Sequence, residues 1–338
     1  MDVTCTLPDS VNHVFVVILG ESTSPCHMSL YGYSRETTPL MDARRNELSI
    51  YSDVNTPDNH TFAATQKILT FADHEHPEYF HQKPSIIGLF KAAGFETYWI
   101  TNHMLLSKWG GSYGVVAQES DQLLDLSVFG KTDEVLLPAL DEVLRDTVSS
   151  KNKIIFIHPM GNHHAYNCRY PDEFEYFDHL QQNDLEDLGF RDEEAKTTID
   201  EYDNSILFGD FIFSSILDQL KSLNSTSSFL LFFSDHGEEV YDTRSARGHF
   251  ISNVYPCQAR IPFVLWRSEA YQEIMPDIVI DTERPHSVEH VIYSLSTLSG
   301  LKYEEYLPEK SIFTPEYTIP EKRIVGDELF DDILNKVN

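Results

Sequence analysis

Apolar positions along this chain follow two alternating patterns, and the alternation predicts the architecture. Short, nearly continuous apolar runs recur at Val14-Phe-Val-Val-Ile-Leu19, Phe95-Glu-Thr-Tyr-Trp-Ile100, Lys153-Ile-Ile-Phe-Ile157, Phe229-Leu-Leu-Phe-Phe233 and Arg260-Ile-Pro-Phe-Val-Leu-Trp266. Each is long enough for a strand and too short to cross a membrane. They are rich in β-branched and aromatic residues and apolar on both faces, as in a parallel sheet covered on both sides. Another strand is predicted near Ser49–Val54. Between these runs the apolar residues recur at helical spacing, over Leu40–Glu47, Phe62–Asp73, Ser85–Ala93, Asp133–Ser149, Ile199–Leu223 and Val288–Ser299. Gly94 and Gly300 close two of these helices. Alternating strands and helices predict an α/β fold, a central mostly parallel sheet flanked by helices on both faces. No internal repeat or low-complexity linker divides the chain. A single domain is expected over 1–338, with its core over about 12–320 and a Pro-rich, then acidic, tail over about 311–338.

The predicted strands end in polar residues of a particular kind. The first ends in Gly20-Glu21-Ser22-Thr23, another in His158-Pro-Met-Gly-Asn-His163-His164, and the Phe229 run in Ser234-Asp235-His236-Gly237. A parallel sheet brings such ends to one edge, where ligands bind. Carboxylate oxygen and imidazole nitrogen together suit a zinc-type ion. Thr61 lies where the Phe62 helix begins, beside free backbone N–H groups that favour a phosphate. A metal ion there would also activate its hydroxyl as a nucleophile. Plainer readings stand beside these: Thr61 as a helix N-cap, Glu21 as a surface acid, Asp235 as a cap and the histidines as an exposed loop.

Charge and cysteine usage narrow the class. The 338 residues carry a formal net charge of -29, which argues against nucleic acid or an anionic membrane surface as a partner. About thirteen of the acids fall between Pro171 and Asp203, against only Arg191 and Lys196, so a solvated insertion or lid is expected over about 171–203. Cys5, Cys26, Cys168 and Cys257 are widely spaced, and free thiols in a reducing compartment are the expectation. No signal peptide and no membrane-spanning run is recognisable, which fits either a soluble protein, for which a cytoplasmic location is open, or a soluble piece of a longer one.

Taken in order, the segments Val17-Ile-Leu-Gly-Glu-Ser22, Ser29-Leu-Tyr-Gly-Tyr33, Arg35-Glu-Thr-Thr-Pro39, His60-Thr61, Leu69-Thr-Phe-Ala-Asp73, His158-Pro-Met-Gly-Asn-His163, Tyr202-Asp-Asn-Ser-Ile-Leu207, Ser234-Asp-His-Gly-Glu238 and Gly248-His249 form a specific set. With them the chain resembles the catalytic domain of the phosphoethanolamine transferases, members of the alkaline phosphatase and sulfatase superfamily. The resemblance implies a metal site on Glu21, Thr61, Asp235 and His236, holding one or two Zn2+ ions, with Thr61 as the nucleophile. It matches His163 and His249 to groups that bind a second zinc or the substrate phosphate. It makes His158 a supporting residue behind the ligands, and Asn102 and Lys108 donor-recognition groups. It implies phosphatidylethanolamine as donor, a surface glycan such as lipopolysaccharide core as acceptor, and a periplasmic domain of an inner-membrane protein. Paired cysteines near the nucleophile, typical of the lipid A branch, are absent, and Ser29-Leu-Tyr-Gly-Tyr33 and Leu69-Thr-Phe-Ala-Asp73 look more like the branch acting on core oligosaccharide or other surface glycans. Two alternatives are a soluble phosphodiesterase or phosphatase of the same superfamily and a catalytically inactive binding domain. Sulfatase chemistry is disfavoured, because the sequence has no Cys-x-Pro-x-Arg motif.

Overall fold

The computed structural model describes every residue except 106–110, 128–130, 147–151, 183, 186–187, 225, 250–252 and 338. Seven strands form the central sheet: β1 (His13–Gly20), β2 (Leu48–Ile50), β3 (Glu96–Thr101), β4 (Gln122–Asp125), β5 (Lys153–His158), β6 (Ser227–Ser234) and β7 (Phe263–Arg267). Their order is β2-β7-β6-β1-β5-β3-β4. β7 runs antiparallel to both β2 and β6, and the remaining pairs are parallel. The predicted Arg260–Trp266 strand begins late, at Phe263, because Pro262 has no N–H to give a ladder. The Ser49–Val54 prediction splits into β2 and a two-residue strand, Val54–Asn55, which pairs with His286–Ser287.

The double-sided apolar runs are explained by two cores. Phe15, Val17, Leu19, Phe229, Leu231 and Phe233 point to one face. There they meet α1 (Thr61–Ile68), α2 (Ile86–Ala92), α3 (Ser112–Ala117) and the later helix Val291–Leu298. Val16, Ile18, Leu230 and Phe232 point to the other face, against α4 (Leu136–Arg145) and α5 (Glu193–Lys221). Each such side chain contributes about 1.5–3 kcal/mol of burial, so the central strands are held from both sides. The C-terminal tail adds a small third core, in which Phe330 and Ile333 are fully buried against Val254 and Ala259.

Register aligns the strand ends. Gly20 pairs with Ser234, Ile18 with Ile157 and Thr101 with His158. The residues that follow β1, β3, β5 and β6 therefore emerge along one edge.

Two expectations are corrected here. The acidic stretch is not wholly a solvated insertion. Its second half enters α5, where the Asp192 side chain caps the helix at Ala195 N, and Asp200 and Asp203 are buried. These acids are counter-ions. Arg35 Nη1 donates to Asp200 Oδ1 at 2.7 Å and Asp203 Oδ2 at 2.9 Å, and its Nη2 donates to Asp184 Oδ1 at 2.6 Å. Nor are all the thiols free: Cys26 and Cys257 form a disulfide across 231 residues, a pairing that local spacing could not reveal.

Beside that disulfide, buried His27 lies between two aspartates, with Nδ1 2.6 Å from Asp203 Oδ1 and Nε2 3.0 Å from Asp242 Oδ1. Burial pushes the imidazole down, but the charges of Asp242 and Asp203 raise it to about 10. A folded-state value above the ordinary one gives stability that is complete below about 6.5 and is lost as the pH climbs toward about 10. His27→Gln should therefore destabilise the protein at pH 7 by about 3 kcal/mol, the scale of a broken buried pair. It should also flatten the alkaline decline in melting temperature. An equally steep decline from pH 7 to 10 in the variant would refute this assignment.

Candidate metal and nucleophile site

Thr61 is the first residue of α1, and the N-cap is His60. The capping reading of Thr61 therefore fails, and its hydroxyl is directed elsewhere. Oγ1 lies 3.2 and 3.1 Å from Glu21 Oε1 and Oε2, and 3.1 Å from His236 Nε2. Thr61 is half-buried, so it can meet a substrate, whereas Glu21, Asp235 and His236 are fully buried.

Backbone geometry aims each partner. Glu21 follows β1 at a tight turn in which Ser22 has φ 55°. Its backbone carbonyl accepts from Asn162 N at 3.0 Å, and its Oε1 accepts from Ser22 Oγ at 2.9 Å. Asp235 Oδ1 accepts from Ser22 N at 3.2 Å and His236 N at 2.7 Å. Its Oδ2 is buried with no hydrogen-bond partner. His236 Nδ1 donates to Gly237 O at 2.8 Å, which leaves Nε2 facing Thr61.

These groups fit a divalent cation. Burial and the Glu21 charge push the Asp235 carboxyl up to about 7. Glu21 itself is held well below the usual carboxylate range, because its contacts with His103 and His236 outweigh its burial. Burial lowers the His236 imidazole, yet Asp235 and Glu21 raise it to about 10. Two buried carboxylates, one with an orphaned oxygen, and an imidazole that draws a proton describe a pocket short of positive charge. Their donor atoms lie within 4.8 Å of one another, and the mixed oxygen and nitrogen set suits zinc.

The other expected residues fall on two flanks. His249 is buried, its ring centroid 4.3 Å from that of His236, and its Nδ1 is 2.8 Å from Glu238 Oε2. His163 is partly exposed and lies 6.0 Å, ring to ring, from His103. His158 is fully buried, stacked on His103 at 4.8 Å, and burial pushes its imidazole down to about 3. The Asn102 amide donates to Asp133 Oδ1 at 2.9 Å, so it braces the loop whose Met160 and Gly161 N–H groups bind the same aspartate. Lys108 lies outside the described residues.

Two residues were given no role from sequence. His103 follows β3, and its Nε2 is 3.5 Å from Glu21 Oε2. Glu238 is fully buried and accepts from Tyr166 Oη at 2.6 Å. The signal for His103 was its place just after a strand that reaches the same edge. Glu238 sat inside a quoted motif with nothing to mark it as buried.

Gly237 is the tightest point behind the site. A Cβ there would lie 2.1 Å from Cys257 O and 2.6 Å from Arg260 O, both backbone atoms. Gly237→Ala should thus displace Asp235-His236 and lower stability by about 3 kcal/mol or more, an overpacking cost. Melting curves and zinc content together check this, and wild-type values for both would contradict it.

Comparison with known proteins matches residues 13–301 to the family described as Sulfatase. The chain belongs to the sulfatase family. The phosphoethanolamine transferase EptC of Escherichia coli (strain K12) is 34% identical over 313 residues, which are 89% of this chain and 53% of that protein. The chain thus spans about half the length of the curated relatives it matches. The crystal structure of the C-terminal periplasmic domain of EcEptC from Escherichia coli superposes with a TM-score of 0.89 at 32% identity, covering 96% of this chain and 92% of that one. A structure of that domain in complex with Zn gives 0.87 at 31%, covering 97% and 96%. Among the described residues, no helix is long and apolar enough to cross a membrane.

Proposed function

We propose that this chain is the catalytic domain of a zinc-dependent phosphoethanolamine transferase. Its donor is phosphatidylethanolamine and its acceptor a surface glycan such as lipopolysaccharide core. The observation that carries this reading is the Thr61 hydroxyl at a helix N-terminus, within 3.2 Å of both Glu21 oxygens and His236 Nε2. The names of the relatives support the transferred group, and the Zn complex of the EcEptC domain supports the metal. Glu21, Thr61, Asp235 and His236 would hold the ion. When bound, it lowers the pKa of the hydroxyl and offsets charge on the phosphoryl oxygens.

The protein's own groups do the rest. Glu21 and His236 hold Oγ1 of Thr61 at one orientation. The first-turn N–H groups of α1 face the phosphoryl oxygens, as helix N-termini do. Thr61 Oγ1 attacks phosphorus, the bond from phosphorus to the diacylglycerol oxygen breaks, and the hydroxyl proton leaves with diacylglycerol. The acceptor oxygen then attacks phosphorus, the bond from phosphorus to Thr61 Oγ1 breaks, the acceptor's proton passes to Oγ1, and the product leaves. Glu238 fixes the ring of His249 beside His236, which positions His249 for the substrate phosphate. A periplasmic setting is supported by the periplasmic domains it resembles and by the Cys26–Cys257 disulfide.

The test is release of diacylglycerol from a fluorescent phosphatidylethanolamine in detergent, with zinc-loaded and chelator-treated protein. Release should require zinc and return on its readdition. Release that chelation leaves unchanged would overturn the metal-dependent reading.

A further inference from the structure

We propose a second metal site formed by Glu21, His103 and His158, sharing Glu21 with the first. One donor atom from each of the three lies within 4.8 Å of the others. Glu21 faces two ways: Oε1 is 3.5 Å from His236 Nε2, and Oε2 is 3.5 Å from His103 Nε2. A carboxylate with one oxygen toward each of two imidazoles has the form of a bridge between two cations.

His158 supplies the independent observation. It is fully buried, and neither ring nitrogen has a hydrogen-bond partner. Folded proteins rarely leave buried polar groups so. His103 Nε2 is likewise without a hydrogen-bond partner. Its orientation follows from its neighbour. Tyr113 Oη donates to Met104 O at 3.2 Å and lies 3.0 Å from His103 Nδ1, which fixes the ring with its Nε2 turned toward Glu21. Two imidazoles and one carboxylate suit zinc rather than magnesium or calcium. Tetrahedral zinc with ligands at about 2.0–2.2 Å sets its donors about 3.4 Å apart, so the cluster, whose donors lie within 4.8 Å of one another, closes on an ion when the two stacked rings turn their nitrogens toward Glu21. Two cations beside one nucleophile suit phosphoryl transfer, in which charge spreads over several oxygens. This site is distinct from one at His163 and His249, and it goes beyond the Thr61-centred ion proposed above.

The experiment is zinc stoichiometry by elemental mass spectrometry on loaded, desalted protein. Wild type should hold two equivalents, His103→Ala and Asp235→Ala one each, and Glu21→Ala none. His163→Ala should still hold two. His158→Gln should hold one; because it alters a buried residue, circular dichroism is run alongside, and partly exposed His103 carries the test if that variant unfolds. A wild type with one equivalent, or a His103→Ala protein with the wild-type count, would overturn the second site. Loss of an ion in His103→Ala but none in Asp235→Ala would instead overturn the Thr61-centred ion and leave this site standing.

Discussion

Thr61→Ala should abolish phosphoethanolamine transfer, lowering the rate by about 10³-fold or more, as loss of a covalent nucleophile does. The protein itself should stay folded. Thr61 is half-buried at the first turn of α1, and its hydroxyl caps nothing. The change in stability is expected to be under about 1 kcal/mol, the scale of a substitution away from the core. Thr61→Ser keeps the oxygen and loses only a methyl group, so it should retain measurable activity. A rate for the alanine variant within tenfold of wild type, with normal zinc content, would remove Thr61 from the nucleophile role.

Asp235→Asn should have two opposite effects. Asp235 Oδ2 is buried without a partner, and the Glu21 charge and burial hold its carboxyl up to about 7. In metal-free protein this pair is a source of strain, so a neutral amide should raise the melting temperature. With zinc present the order should reverse. A ligand stabilises the folded state in proportion to its binding, and the variant loses a charged donor. The zinc-induced rise in melting temperature should be large in wild type and nearly absent in Asp235→Asn, with activity down by about 10²-fold or more. Equal zinc-induced shifts in the two proteins would show that Asp235 is not a ligand.

The legible parts of the fold were those governed by local pattern. β1, β5 and β6 are continuous apolar runs because both faces are buried, and their ends carried Glu21, His158 and Asp235-His236 to one edge. Thr61 could be placed at a helix start, but whether its hydroxyl capped the helix depended on Glu21, forty residues earlier in sequence. β4 was missed because Gln122-Leu-Leu-Asp125 is an edge strand, largely exposed, with no clear alternation. The Cys26–Cys257 bridge and the Arg35 and His27 ion pairs join residues more than 140 apart, so no window of sequence contains them. The buried acids of α5 looked like solvated charge for the same reason: their partners lie in the loop over Pro25–Arg35. His103 was passed over because its role depends on β3 lying two strands from β1, an order that the sequence does not state.

The central claim is that Thr61 receives phosphoethanolamine from a phosphatidyl donor. Intact-protein mass spectrometry after incubating zinc-loaded protein with phosphatidylethanolamine in detergent tests it most directly. The account predicts a phosphoethanolamine adduct on wild type and none on Thr61→Ala. An adduct that persists in Thr61→Ala would contradict it, as would ethanolamine phosphate release that this substitution does not change.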